Sequence, residues 1–141
     1  PSPVTGLPLM KTLEEERIFN CSADVLWSIL SDVARCDWVP TVEKITLDGD
    51  CRFFEMAGMG RIVERILLLD NETMTLQYSA IETPAPVDHH LATMHVLEVD
   101  EDHCQLEWKT EIDPETFADG VHQGMVISLQ GIESLLSNCS L

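Results

Sequence analysis

The segment Cys104–Asp113 alternates without a break. Cys104, Leu106, Trp108, Thr110 and Ile112 fall on one side; Gln105, Glu107, Lys109, Glu111 and Asp113 fall on the other. Successive side chains of a β-strand point to opposite faces, so the pattern demands a sheet with one covered face and one wet face. The period then changes. Across Glu115–Asn138, Phe117, Val121, Met125, Leu129, Ile132 and Leu136 recur every three or four residues, the spacing of an amphipathic helix. Asp113-Pro114-Glu115 suits the start of that helix, with proline in the first turn. A half-covered sheet that runs straight into such a helix points to a layered fold in which the helix is the cover.

The rest of the chain agrees. Strand signals occur at Thr12–Asn20, Val42–Leu47, Cys51–Ala57, Gly60–Leu69, Thr73–Ile81 and His89–Val99. From Val42 onward the gaps hold Asp48-Gly49-Asp50, Gly58-Met59-Gly60, Asp70-Asn71-Glu72, Pro84-Ala85-Pro86 and Asp100-Glu101-Asp102, all turn compositions. Consecutive strands are therefore expected to pair as an antiparallel meander. Between the first two strands, Ser22 reads as an N-cap, and Leu26, Ile29, Leu30 and Val33 follow at helical spacing. A second short helical turn near Asp37 and Trp38 is expected to end at Pro40.

One residue breaks the apolar pattern. Glu64, in Gly60–Leu69, shares a face with Ile62, Ile66 and Leu68. A carboxylate on an apolar face is costly unless it is paired, hydrogen-bonded or turned toward a cavity that admits water or ligand. The last helix carries a second oddity, a stripe of Gly120, Gly124, Ser128 and Gly131 beside its apolar face. Each interior glycine costs about 1 kcal/mol against alanine. Two steric reasons offer themselves: close contact between helix and sheet, or an empty space between them. Together with Glu64, the stripe favours a cavity. Tyr78 and Ala80 lie on the inner face with Met74 and Leu76, and His90 shares a face with Ala92 and Met94. A core tyrosine bonded to backbone and a strand-end histidine at the rim are the plainer accounts of Tyr78 and His90.

Composition removes several classes of function. With 25 acidic against 8 basic residues, the net charge is −17, which repels phosphate backbones and anionic membranes, so nucleic acid is not an expected partner. No apolar run is long enough to cross a membrane as a helix. The five cysteines form no CxxC pair and read as reduced thiols of a cytoplasmic protein. His89 and His95 would lie about 20 Å apart along one strand, too far to share an ion, so no metal and no cofactor are expected. Nor does a nucleotide loop, nucleophile elbow or HExxH motif occur. Pro1–Leu9, proline-rich and uncharged, reads as a flexible leader or a remnant of cloning, and residues 10–141 as one domain.

The order strand, two short helices, six-strand meander and long C-terminal helix is that of the helix-grip fold, an α+β class. The chain resembles the SRPBCC (START-related) superfamily, which holds polyketide cyclases/dehydrases, plant abscisic acid receptors and pathogenesis-related allergens. The resemblance is carried by Ser22-Ala23-Asp24-Val25-Leu26-Trp27, Leu30-Ser31-Asp32, Trp38 and Pro40. It continues through Glu64-Arg65-Ile66, Leu76-Gln77-Tyr78, Leu106-Glu107-Trp108 and Ile127-Ser128-Leu129-Gln130. It extends from Met10 to Leu141 and implies a curved sheet of about seven strands wrapped around the last helix.

Within the superfamily, the chain is most similar to the branch of lachrymatory factor synthase and the abscisic acid receptors. That likeness implies that Glu64, Tyr78 and Trp108 line a pocket. It places a gate loop at Ala57–Gly60 and a second loop at Pro84–Val87. The gate lacks the receptors' Ser-Gly-Leu-Pro, which argues against a hormone-receptor role. It also implies an arginine partner for the glutamate, for which Arg52 is the candidate. A three-residue loop at Gly58–Gly60 would set Phe54 opposite Glu64 and turn Arg52 inward; a two- or four-residue loop would turn Arg52 out.

The sequence thus leads to a small, largely hydrophobic ligand held between sheet and helix by Glu64, Tyr78, Ala80, His90, Ala92, Met94, Trp108, Gly124 and Ser128, in a monomer or homodimer. The first alternative is a cyclase, dehydratase or isomerase with Glu64 as general acid/base, aided by Tyr78 or His90 and with Arg52 as a further candidate. The second is a protein-interaction module with a collapsed cavity and a salt-bridged Glu64.

Overall fold

The computed structural model describes residues 10–139, with side chains as far as Ser137. The leader, Pro1–Leu9, and the Cys139 thiol lie outside the described residues. The elements in chain order are β1 (Lys11–Phe19), α1 (Ala23–Leu30), β2 (Val42–Asp48), β3 (Cys51–Met56), β4 (Gly60–Asp70), β5 (Thr75–Glu82), β6 (His89–Asp100), β7 (His103–Asp113), a 3-10 turn (Glu115–Phe117) and α2 (Ala118–Cys139). The seven strands form one antiparallel sheet in the order β1-β7-β6-β5-β4-β3-β2. The meander runs from β2 to β7, and β1 closes on the far side of β7. Breaks in register leave one extra residue on each of β2, β4, β5 and β6.

Local chemistry sets the element ends. Ser22 caps α1, its hydroxyl accepting from the Val25 N–H. In place of a second short helix there are two single turns, closed by Arg35 N–H to the Asp32 carbonyl and Val39 N–H to the Cys36 carbonyl. Pro40 lacks the N–H to extend the second turn. The strand expected from Thr73 begins at Thr75, because Met74 takes a left-handed conformation (φ 50°) and Asp70 captures the Glu72 N–H and the Thr73 hydroxyl. The last helix starts three residues later than expected, after the 3-10 turn. A bulge between Ile66 and Leu68 sets Leu68 opposite Gln77 and leaves it 41% exposed, off the apolar face assigned to it.

The covered face divides in two. At one end α1 and the later turns of α2 bury a core of Phe19, Leu26, Leu30, Leu76, Ala92, Met94, Val96, Cys104, Leu106, Leu129 and Ile132. The indole N–H of Trp27 donates to the Asn71 side chain (2.9 Å), tying α1 to the β4–β5 turn. At the other end a small cluster of Val42, Phe54 and Ile62 faces the early turns of α2. β7 runs through both regions, from Cys104 and Leu106 in the core to Thr110 and Ile112 beside the cavity.

Candidate functional site

The two steric accounts of the small-residue stripe each hold at a different point. A Cβ on Gly120 or Gly124 would meet nothing, whereas a Cβ on Gly131 would run into the Trp38 carbonyl oxygen. The open part belongs to a cavity of about 350 Å³ between α2 and the sheet. Its walls are mainly apolar: Val42, Ile45, Phe54, Ile62, Ile112, Val121 and Met125. Met59 from the β3–β4 loop, Pro84 and Ala85 from the β5–β6 loop, and Phe117 also line the cavity. The first residue of β4 comes close to the β5–β6 loop, since a Cβ on Gly60 would lie 3.1 Å from Cγ of Pro84. A wider groove of about 1150 Å³ runs outside β2–β4 past Lys44, Thr46, Phe53 and Arg61, but it is open to solvent.

The polar groups of the cavity gather on β3–β6. The β3–β4 loop has three residues, Ala57–Met59, one step earlier than Gly58–Gly60. This step sets Arg52, not Phe54, directly opposite Glu64 and turns Arg52 inward. Arg52 Nε donates to Glu64 Oε1 at 2.8 Å, and its Nη1 donates to the Val33 carbonyl at 3.1 Å. The two side chains are only 10% and 13% exposed. The guanidinium also lies 4.7 Å from the centre of the Tyr78 ring, a cation–π contact. A pair this sheltered is costly to break from one side, because the remaining charge is left without a partner.

Tyr78 is buried, and desolvation together with the Glu64 charge pushes its hydroxyl far above the ordinary range, so it keeps its proton. The Trp108 indole lies close enough to act weakly against that shift, yet its N–H reaches no partner with hydrogen-bond geometry. The Trp38 N–H is likewise without a partner, and the two indoles pack edge to face with centroids 6.5 Å apart. His90 accepts the Ala80 backbone N–H at Nδ1 (2.9 Å). Burial holds it below the usual imidazole range, against the opposing pull of Glu64, so it is neutral near pH 7.

Of the residues assigned to the ligand, Glu64, Tyr78, Ala80, His90, Trp108, Gly124 and Ser128 line this cavity, as does Arg52. Ala92 and Met94 do not. Each is 1% exposed, packed in the core that α1 and α2 cover, so the shared face of β6 is right but the part of it is wrong. Trp38, Phe54 and Thr110 were not assigned to the site and line it. Thr110 could have been found from the inner face of β7, which it shares with Trp108. Trp38 sits in a turn, where periodicity carries no information. Among the described residues, no three His, Cys, Asp or Glu side chains converge as a metal site would require. His89 and His95 pair instead with Glu111 and Glu107. No helix among them is long and apolar enough to cross a membrane.

A family model described as "Polyketide cyclase / dehydrase and lipid transport" matches residues 10–136. The chain belongs to that family. Curated protein sequences give no match. Solved structures show the same fold. An uncharacterised protein from Bacillus thuringiensis superposes with a TM-score of 0.80 at 20% identity, over 89% of this chain and 98% of that one. An aromatase/cyclase from a Streptomyces species gives 0.77 at 21% identity, over 89% and 92%. Norcoclaurine synthase from Thalictrum flavum, in complex with dopamine and hydroxybenzaldehyde, gives 0.74 at 19% identity, over 94% and 89%. At these identities the likeness concerns the fold, and the functional argument for this family member rests on its own cavity.

Proposed function

We propose that this protein binds a small, largely hydrophobic molecule in the cavity between sheet and α2, with the polar end of the ligand beside Arg52, Glu64, Tyr78 and His90. One observation carries the reading: a space of about 350 Å³, apolar on most sides, with Arg52, Glu64, Tyr78 and His90 side by side in its wall. The volume falls within the ordinary range of small-molecule sites, roughly 300–1,000 Å³. The collapsed-cavity reading required both a salt-bridged Glu64 and a filled interior; the bridge is present and the interior is open. Norcoclaurine synthase, of like fold, holds two small aromatic molecules. The free thiols of Cys21, Cys36, Cys51 and Cys104 support a reducing, cytoplasmic setting. The protein would act as a monomer or homodimer, with no cofactor.

A second reading has its own support. Glu64 bonds Arg52 through Oε1, and beside it stand a protonated Tyr78 and a neutral His90. Groups with separated proton affinities at one point are what a cyclase, dehydratase or isomerase requires.

Glu64→Gln separates the two. The amide keeps an oxygen for Arg52 but removes the charge, at a stability cost of roughly 3 kcal/mol, because the sheltered guanidinium loses its counter-ion. For a binder, an apolar probe such as ethylnaphthalene should still bind to within about tenfold, ~1.4 kcal/mol. For an acid–base enzyme assayed with a poly-β-ketone substrate, turnover should fall by roughly 10²–10⁴ while binding persists. Loss of the fold in E64Q would instead make Glu64 a structural partner of Arg52 and remove both roles.

A further inference from the structure

Hydrogen-bonded pairing between β5 and β6 stops at Tyr78 and Ala92. Beyond that point a side chain and a ring take over from the ladder. The Ser79 hydroxyl donates to the His90 carbonyl, and the Ala80 N–H donates to His90 Nδ1. A nitrogen that accepts a hydrogen bond carries no proton, so in the neutral ring the proton sits on Nε2. The imidazole cannot turn over without abandoning the Ala80 N–H. It is therefore a fixed donor on the cavity wall, and Nε2 has no partner among the described residues.

The other polar groups at this end point the same way. The charge of Glu64 is taken up by Arg52 at 2.8 Å, so an incoming ammonium would meet a carboxylate already paired and a guanidinium that repels it. Tyr78 retains its O–H. A ligand that offers no acceptor would leave the His90 donor unmatched.

We propose that this end of the cavity recognises an uncharged oxygen acceptor, a ketone or ester carbonyl, through the Nε2–H of His90. The inference deepens the ligand-binding reading above and rests on it. The sign of the effect discriminates. A carbonyl buried without a donor binds less tightly than the matching hydrocarbon, because it has given up water. A carbonyl that meets a fixed donor binds more tightly.

The test compares three probes of similar size on the full chain by titration calorimetry: acetylnaphthalene, ethylnaphthalene and naphthylethylamine. The ketone should bind about fivefold more tightly than the hydrocarbon, and the ammonium should be weakest. His90→Asn keeps an acceptor for the Ala80 N–H but places nothing where Nε2 lies. In that variant the ratio of ketone to ethylnaphthalene affinity should fall to about one, whatever happens to the affinity for the hydrocarbon itself, with the Ala80 amide resonance still reporting a hydrogen bond. Equal or tighter binding of the hydrocarbon by the unaltered protein would overturn the inference. So would tightest binding of the amine, which makes Glu64 the anchor, or a ketone preference that survives in H90N. Binding of ethylnaphthalene without a ketone preference overturns this inference alone; failure of all three probes to bind overturns the cavity reading and this inference with it.

Discussion

Gly124 and Gly131 lie seven residues apart on one stripe of one helix, and they are glycines for opposite reasons. At Gly131 the chain comes so close that the Trp38 carbonyl occupies the place of a side chain, with Pro40 Cδ 3.0 Å away. At Gly124 there is nothing to touch. The same contrast divides the whole molecule. Where α1 and the later turns of α2 cover the sheet, Leu26, Leu106, Leu129 and Ile132 are essentially sealed from solvent. Where the early turns of α2 cross β2–β4, the sheet is faced but not filled. Small residues therefore do two jobs in this helix. One admits a turn that locks the packed end, and the other keeps open a space that stability alone would close.

Substitution separates the two. Gly131→Ala should have the larger effect. The new methyl overlaps backbone, which cannot yield as a flexible side chain would. Overpacking should outweigh the gain in helix propensity, for a net loss of about 2 kcal/mol and roughly 6 °C in Tm. Thermal unfolding followed by circular dichroism reads this directly, and an unchanged Tm would erase the distinction between the two ends.

Gly124→Ala should act in the reverse direction. With nothing in the way, the helix gains alanine's propensity, about 1 kcal/mol or roughly 3 °C. A destabilised G124A would mean that the space is filled when the protein is in solution.

The smallest effect concerns the boundary between the ends. Burial depresses the His90 pKa below its ordinary 6.5, while the neighbouring Glu64 pulls it up and His89 pulls it down. As pH falls through 6.5, the unfolded chain takes up a proton that the folded chain resists. This group therefore removes stability on the acid side of pH 6.5, and it has no effect well above that value. The Tm of the unaltered protein should fall more between pH 7 and pH 5.5 than that of His90→Asn. Parallel curves would place His90 outside the buried wall.

Much of this division was legible in the residues. The alternation of β7 marked Trp108 and Thr110 as inward, and the wrong-sided Glu64 marked the place where the face is not simply core. The glycine stripe raised both steric explanations without saying which residue obeyed which, because the answer depends on where the turn at Trp38 lands. Ala92 and Met94 show a related limit. Periodicity gives the face of a strand but not the point along it at which a helix stops filling the space. Arg52 depended on a single residue of loop placement: the step from Gly58–Gly60 to Ala57–Met59 exchanged its partner while preserving its facing. Leu68 was lost to a bulge, which no alternation pattern announces.

The central claim is that the unfilled end of the molecule is a binding site. Its most direct test is a titration of ethylnaphthalene into the unaltered protein and into Gly124→Leu, followed by the fluorescence of Trp38 and Trp108, which line the cavity. The account predicts saturable one-to-one binding by the unaltered protein. It predicts a loss of about tenfold or more, ~1.4 kcal/mol, when the leucine occupies the cavity, with the circular dichroism spectrum unchanged. Equal affinity in both proteins, or no saturable binding in either, would contradict it.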